Sequence, residues 1–353
     1  MTTRAVQPNH VHVLGAGRMG QGIALAFAFA GLRVTLIDFK PRDDAARAAF
    51  AKNALGEIER QLRSLVEFGR LDAAQAADTL ARVEVVDRAG AEAGLVNCEV
   101  VFEAVPEVMD AKREAFAWLC ARVGSTATIA STTSTFLVTD LHELVTQPQR
   151  FINAHWLNPA HLMPLVEISR SEITDPAVVA RLKELLRRAG KAPVECAPAA
   201  GYIVPRLQAL VMNEAARMVE EGVASAEDID TAVRTGFGLR FSVLGLLEFI
   251  DWGGCDILFY ASRYLAGEIG PRFEPAAIVS QNMEQGRDGI RTGEGFYDYA
   301  GVDVPAYVKR RLGEFGGLLD HLELAPRYQS ALAHGDATPC CSAASATNAS
   351  SSR

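Results

Sequence analysis

One six-residue segment constrains this chain more than any other. Gly15-Ala16-Gly17-Arg18-Met19-Gly20 is a GxGxxG turn that follows an apolar run, Val11–Leu14, and opens an apolar stretch, Met19–Ala30. The spacing alone arises by chance, but a strand before it and a helix after it give it a physical meaning. Gly15 permits the tight turn, Gly17 lets the backbone approach a pyrophosphate with no Cβ in the way, and Gly20 lets the helix pack closely on the strand. Arg18 and Met19 then stand in the first helical turn, where unpaired N–H groups face a phosphate. A second apolar run, Val34–Ile37, ends in Asp38, eighteen residues beyond Gly20. A carboxylate there accepts hydrogen bonds from both ribose hydroxyls and repels a 2′-phosphate, so the expected cofactor is NAD rather than NADP. The basic neighbours Lys40 and Arg42 are the features that would instead suit NADP.

The strand–helix pattern continues downstream. Arg42–Arg82 is amphipathic, with Leu55, Ile58, Leu62 and Leu65 on one face, and Phe68-Gly69-Arg70 interrupts it, which predicts a helical hairpin. Val83–Val86, Val100–Ala104 and Thr128–Ala130 read as strands, with a helix over Ala111–Arg122. Such alternation predicts an α/β fold, a Rossmann-type doubly wound and mostly parallel sheet. After Glu195 the pattern turns helical: Gly201–Gly222, Ala226–Thr235 and Ser242–Leu265 each read as a helix, the second opened by Ser225 with acids in its first turn. The expected organisation is a cofactor-binding domain over 9–198, carrying the hairpin as an insertion, and an all-helical C-terminal domain over 199–325 for substrate and dimer contacts. The Ser/Ala/Thr/Asn-rich tail over 331–353 has little to bury and is expected to be disordered.

Composition excludes other classes. The 353 residues suffice for two domains, and the net charge of −8 argues against nucleic acid, whose phosphates want clustered positive charge. No apolar run reaches the roughly 18 residues of a membrane span, and the N-terminus lacks a secretory core, so a cytoplasmic protein is expected. Cys98, Cys120, Cys196, Cys255, Cys340 and Cys341 form no CxxC or zinc spacing; they read as buried or tail thiols, and no metal site is expected.

The chemistry concentrates in Phe151–Glu167, FINAHWLNPAHLMPLVE. His155 ends an apolar run, Asn158-Pro159 turns the chain, and Leu165-Val166 returns with Glu167, twelve residues after His155. Two short strands joined this way bring an imidazole beside a carboxylate. A dehydrogenase needs that pair, because a hydroxyl must lose its proton as its hydride leaves, and a partnered carboxylate fixes the tautomer. His161 competes for the role but sits within the loop.

Here the chain resembles the L-3-hydroxyacyl-CoA dehydrogenase family across nearly all of residues 9–300. The matching segments are VLGAGRMGQGIA, VFEAVPE at Val101–Glu107, the STTS loop at Ser131–Ser134, HWLNPAHLMPLVE, GYIVPRL at Gly201–Leu207 and GEGFYDY at Gly293–Tyr299. The resemblance implies that His155 is the general base in oxidation and the acid in reduction, with Glu167 orienting it. It implies that Ser134 bonds the substrate oxygen and His155, and that Asn158 helps to hold the reacting group. Glu103 would stand near the nicotinamide ribose and Lys112 near the cofactor. A homodimer through the helical domain is also implied, consistent with the apolar Phe249–Tyr264.

Two departures bear on the substrate. Pro205 stands where the family's GFIVNRL has Asn, removing a side-chain donor, although proline is tolerated in a first helical turn. The segment Thr235–Asp251 lacks the family's GYPMGP turn, and its Arg240 is more similar to the carnitine and gulonate dehydrogenase branch. An arginine there can grip a carboxylate bidentately or form an interface ion pair. Three functions therefore stand side by side. The first is oxidation of a short-chain L-3-hydroxyacyl-CoA such as 3-hydroxybutyryl-CoA. The second is the same hydride transfer on a small free hydroxy acid, and the third is a non-catalytic NAD(H)-binding protein like the lens crystallins.

Overall fold

The computed structural model describes residues 9–326; the expected tail over 331–353, with Cys340 and Cys341, lies outside the described residues. The chain forms two compact units that divide between Ala216 and Arg217.

The first unit is built on an eight-stranded sheet: β1 (His10–Leu14), β2 (Arg33–Asp38), β3 (Val83–Asp87), β4 (Val100–Glu103), β5 (Thr128–Ser131), β6 (Phe151–Trp156), β7 (Leu165–Ser169) and β8 (Ala192–Cys196). Spatial order is β3-β2-β1-β4-β5-β6-β7-β8. All neighbours run parallel except β6 and β7, whose direct return makes them antiparallel. Its helices are α1 (Arg18–Phe29), α2 (Asp44–Glu67), α3 (Ala73–Leu80), α4 (Arg88–Leu95), α5 (Met109–Cys120), α6 (Val138–Leu141), α7 (Pro176–Arg188) and the start of α8 (Val204–Glu220). The hairpin expected around Gly69 is α2 and α3, closed by a reciprocal cap in which Asp72 and Gln75 each accept the other's backbone N–H.

Strand residues alternate between two cores, as a period of two requires. Val11, Val13, Val34, Leu36 and Phe102 join one core with α1, α2 and α7. Leu14, Ile37 and Val101 join the other with α4, α5 and α6. Phe27 of α1 is fully buried with its ring 5.6 Å from Trp156 and 5.2 Å from Phe102. Each such side chain contributes about 2–3 kcal/mol by burial. Of the core thiols, Cys98 and Cys255 are buried and Cys120 and Cys196 half-buried, all four free.

The second unit is helical: the end of α8, then α9 (Ala226–Ala232), a π-helical turn (Val233–Phe237), α10 (Gly238–Val243), α11 (Leu246–Gly253), α12 (Cys255–Glu268), α13 (Ala277–Glu284) and α14 (Val304–His321). Ser225 caps α9 through the Asp228 N–H, as the sequence predicts. The single helix expected over Ser242–Leu265 is instead interrupted twice. Gly245 opens α11 as its N-cap, and Gly254, at φ +104°, separates α11 from α12. Gly286–Tyr299 folds around buried Asp251, whose carboxylate accepts from the Phe296 and Tyr297 N–H groups and the Tyr299 hydroxyl.

Candidate active site

The order of the sheet reverses between β1 and β4, and the loops leaving the C-terminal ends of β1, β4, β5 and β6 carry the candidate residues. A reversal of this kind opens a crevice for a dinucleotide. Gly15 holds φ +106°, and a Cβ there would stand 2.5 Å from the Ala104 carbonyl oxygen. A Cβ on Gly20 would stand 1.9 Å from the Gly15 carbonyl oxygen, so the helix packs against the turn only as glycine. Gly17 faces open space, caps α1 without a side-chain acceptor, and no acid occupies the first turn that holds Arg18 and Met19. The amide groups there are thus open to an anion, and the cradle fits a diphosphate.

Asp38 ends β2 nearly buried, accepting from the Lys40 N–H at 3.3 Å and from Arg42 Nε at 2.5 Å. The ion pair engages the guanidinium that would otherwise favour a 2′-phosphate. A cavity of about 220 Å³ beside it is lined by Asp38, Phe50, Val86, Asp87 and Gly90, a place of suitable size for an adenine.

Glu103 ends β4 and Lys112 stands on α5. Both are fully buried, and Lys112 Nζ lies 2.9 and 3.0 Å from the two Glu103 carboxylate oxygens. Glu103 also accepts from the Ser131 hydroxyl at 2.6 Å and the Val105 N–H at 2.8 Å. With both Glu103 oxygens accepting from these groups, the pair braces the ends of β4 and β5. The residue that reaches the loop is Glu107, which sequence reasoning passed over although it ends the VFEAVPE segment. Its Oε1 accepts from the Thr133 and Thr135 hydroxyls and from the Ser134 and Thr135 N–H groups. Burial acts to raise the Glu107 carboxyl, but the bonds from Thr133 and Thr135 and the charge of Lys112 outweigh it and hold it at about 2.

His155 and Glu167 are direct partners across β6 and β7. His155 Nδ1 lies 2.8 Å from Glu167 Oε2, and Glu167 Oε1 accepts from the Ile203 and Val204 N–H groups at 2.9 Å each. The fully buried carboxylate is therefore held by the opening of α8, whose dipole favours its charge. Pro205 is the second residue of α8, where its missing N–H leaves nothing unpaired. Ser134 and Asn158 are exposed on the loops after β5 and β6. His161 is half-buried, and burial followed by the charge of Lys191 lowers its pKa. Lys191, which the sequence did not single out, donates to the Ala160 and Met163 carbonyls at 2.7 and 2.9 Å and so fixes the loop that carries Asn158. Tyr202, inside the GYIVPRL segment, stacks on His155. Arg240 is exposed on α10, 5.7 Å above the Phe249 ring, with no carboxylate partner among the described residues. A cleft of about 720 Å³ between α1 and α2 is lined by Arg18, Lys52, Arg60 and Arg63, opposed by Glu57 and Glu59.

The model of the 3-hydroxyacyl-CoA dehydrogenase NAD binding domain matches residues 10–199, and that of the family's C-terminal domain matches residues 201–299. The chain belongs to the 3-hydroxyacyl-CoA dehydrogenase family. It is an NAD-dependent oxidoreductase, and the cofactor expected from Asp38 and the glycine turn is that of the family. The chain is 33% identical to a 3-hydroxybutyryl-CoA dehydrogenase of Bradyrhizobium diazoefficiens over 293 residues, covering 83% of this chain and 96% of that one. It is 30% identical to a 5-formyl-3-hydroxy-2-methylpyridine 4-carboxylate 5-dehydrogenase of Mesorhizobium japonicum, covering 86% and 94%. The crystal structure of a 3-hydroxyacyl-CoA dehydrogenase from Archaeoglobus fulgidus aligns with a TM-score of 0.71 at 32% identity, covering 90% of this chain and 99% of that one. Among the described residues of this family member, no helix is long and apolar enough to cross a membrane, and no cluster of His, Cys, Asp and Glu suits a metal ion.

Proposed function

We propose that this dehydrogenase oxidises, reversibly, the 3-hydroxyl of a short-chain L-3-hydroxyacyl-CoA to the 3-keto product, with His155 as the general base. The observation that carries this reading is the His155–Glu167 pair. With Nδ1 committed to Glu167, the imidazole keeps Nε2 to accept the proton of the substrate hydroxyl. Glu167, anchored by two backbone N–H groups, fixes the tautomer and stabilises the imidazolium that forms. Ser134 and Asn158 orient the reacting oxygen, and bound NAD supplies the hydride acceptor. Residues 9–198 hold the cofactor through Gly15, Gly17, Arg18, Met19, Gly20 and Asp38, and residues 199–325 supply substrate and dimer contacts. The basic cleft at Arg18, Lys52, Arg60 and Arg63 suits the phosphates of CoA. Exposed apolar side chains favour a homodimer: Leu210 and Met212 in the first unit, Tyr260 and Tyr264 in the second. Sedimentation at micromolar concentration tests that state, and a monomer would refute it.

The deciding assay follows NADH absorbance with 3-hydroxybutyryl-CoA and with a panel of free 3-hydroxy acids. Turnover of the thioester supports the proposal, and turnover confined to free acids overturns it. The second reading, a free hydroxy acid, is favoured by one observation, the exposed Arg240 guanidinium without a carboxylate partner. Under it, Arg240→Ala cripples free-acid turnover; under the thioester reading the same change leaves the rate nearly unaltered.

A further inference from the structure

We infer that Tyr202 is a positioning residue of the His155 site: its ring sets the plane of the imidazole, and its hydroxyl ties that ring to the loop bearing Ser134. The inference rests on His155 being the base. Tyr202 is buried, and its ring lies 4.8 Å from the imidazole, centroid to centroid, with only 15° between the planes. Its hydroxyl donates to the Thr133 carbonyl at 2.9 Å and accepts from Asn153 Nδ2 at 3.1 Å. Thr133 immediately precedes Ser134, and Asn153 lies two residues before His155 on β6, so one phenol joins both halves of the site.

The backbone of Tyr202 supports the same role. It holds φ +45°, a left-handed conformation unfavourable for a residue with a Cβ. This turn lays the ring on His155 and aims the next two N–H groups, of Ile203 and Val204, at Glu167 Oε1. Three consecutive residues therefore grip both members of the pair. Burial pushes the Tyr202 phenol up, so it remains a neutral donor at working pH. The titratable groups around the stack are Glu167 on β7, Cys196 at the end of β8 and Glu107 before α5.

The test compares Tyr202→Phe, which keeps the ring, with Tyr202→Leu and Tyr202→Met, which keep an apolar side chain without it. The His155 ring signal is followed by NMR of histidine-labelled protein free of cofactor and substrate, assigned with His155→Gln. In Tyr202→Phe the upfield ring-current displacement persists and kcat falls only a few-fold. In the Leu and Met variants the signal moves downfield. Their kcat falls by roughly 10–100-fold while NADH affinity holds, the size expected when a catalytic group is displaced. A folded Leu or Met variant with the wild-type signal or the wild-type kcat would overturn the inference, as would a Phe variant as impaired as these. The NMR signal of the parent does not depend on turnover, so an intact stack in the parent together with unchanged activity of His155→Gln identifies failure of the base assignment instead.

Discussion

His155 and Glu167 face one another across the antiparallel β6–β7 pair, Nδ1 to Oε2 at 2.8 Å, and the carboxylate is held from behind by the first amides of α8. The return of β7 beside β6 is what places the carboxylate next to the imidazole. His155→Gln is expected to lower kcat by about 10²–10⁴-fold, the usual span for a lost general base, with NADH affinity retained. Steady-state oxidation rates check it, and an unchanged kcat refutes the assignment. Glu167→Gln should lower kcat as well, because the tautomer is no longer enforced.

Asp38 has two partners in prospect, the ribose hydroxyls and Arg42. Asp38→Ala removes the first and frees the guanidinium of the second. NADH binding should weaken and discrimination against NADPH should relax. Fluorescence titration with both dinucleotides measures this, and an unaltered preference excludes Asp38 from cofactor choice.

Lys112 and Glu103 form a buried ion pair shared with Ser131, so deleting one charge strands the other. Lys112→Met should destabilise the first unit by about 3–5 kcal/mol, the range for breaking such a pair. Denaturant unfolding reads the loss. A variant as stable as the parent would show that Glu103 finds its counter-charge elsewhere.

His12 sits in β1 with both ring nitrogens unpartnered, 4.4 Å from the His10 ring. Burial, and then the neighbouring His10, depresses its pKa from 6.5 to about 4. In the unfolded chain the imidazole binds its proton first, near pH 6.5. Stability is therefore unaffected above that value and is lost as pH falls from 6.5 toward 4, by about 3 kcal/mol. Melting curves across this window should show a steeper fall for the parent than for His12→Leu. Parallel curves would refute the contribution.

The glycine turn, Asp38 at the end of β2, the hairpin and the His155–Glu167 pairing were legible because each depends on short-range spacing and strand parity. Strand β8 and helix α7 were overlooked, although Asp175-Pro176 and the apolar Val178, Val179, Leu182 and Leu185 carry a helix start and a buried face. Gly254 divides a helix because its positive φ is chosen by what packs around it, which helical periodicity does not record.

Local pattern thus determined the dinucleotide fold, the cofactor and the contact of His155 with Glu167, since strand–turn–helix spacing is set within a few tens of residues. Only the tertiary structure decided which carboxylate faces inward and which reaches the Ser134 loop. Glu103 ends β4, and Glu107 follows four residues later in the loop before α5. Their surroundings follow from Lys112 on α5 and from the remote Ser131, Thr133 and Thr135, groups whose approach depends on how β4, β5 and α5 pack. Tyr202 over His155 is the same kind of fact, a contact across 47 residues that no spacing in the sequence encodes.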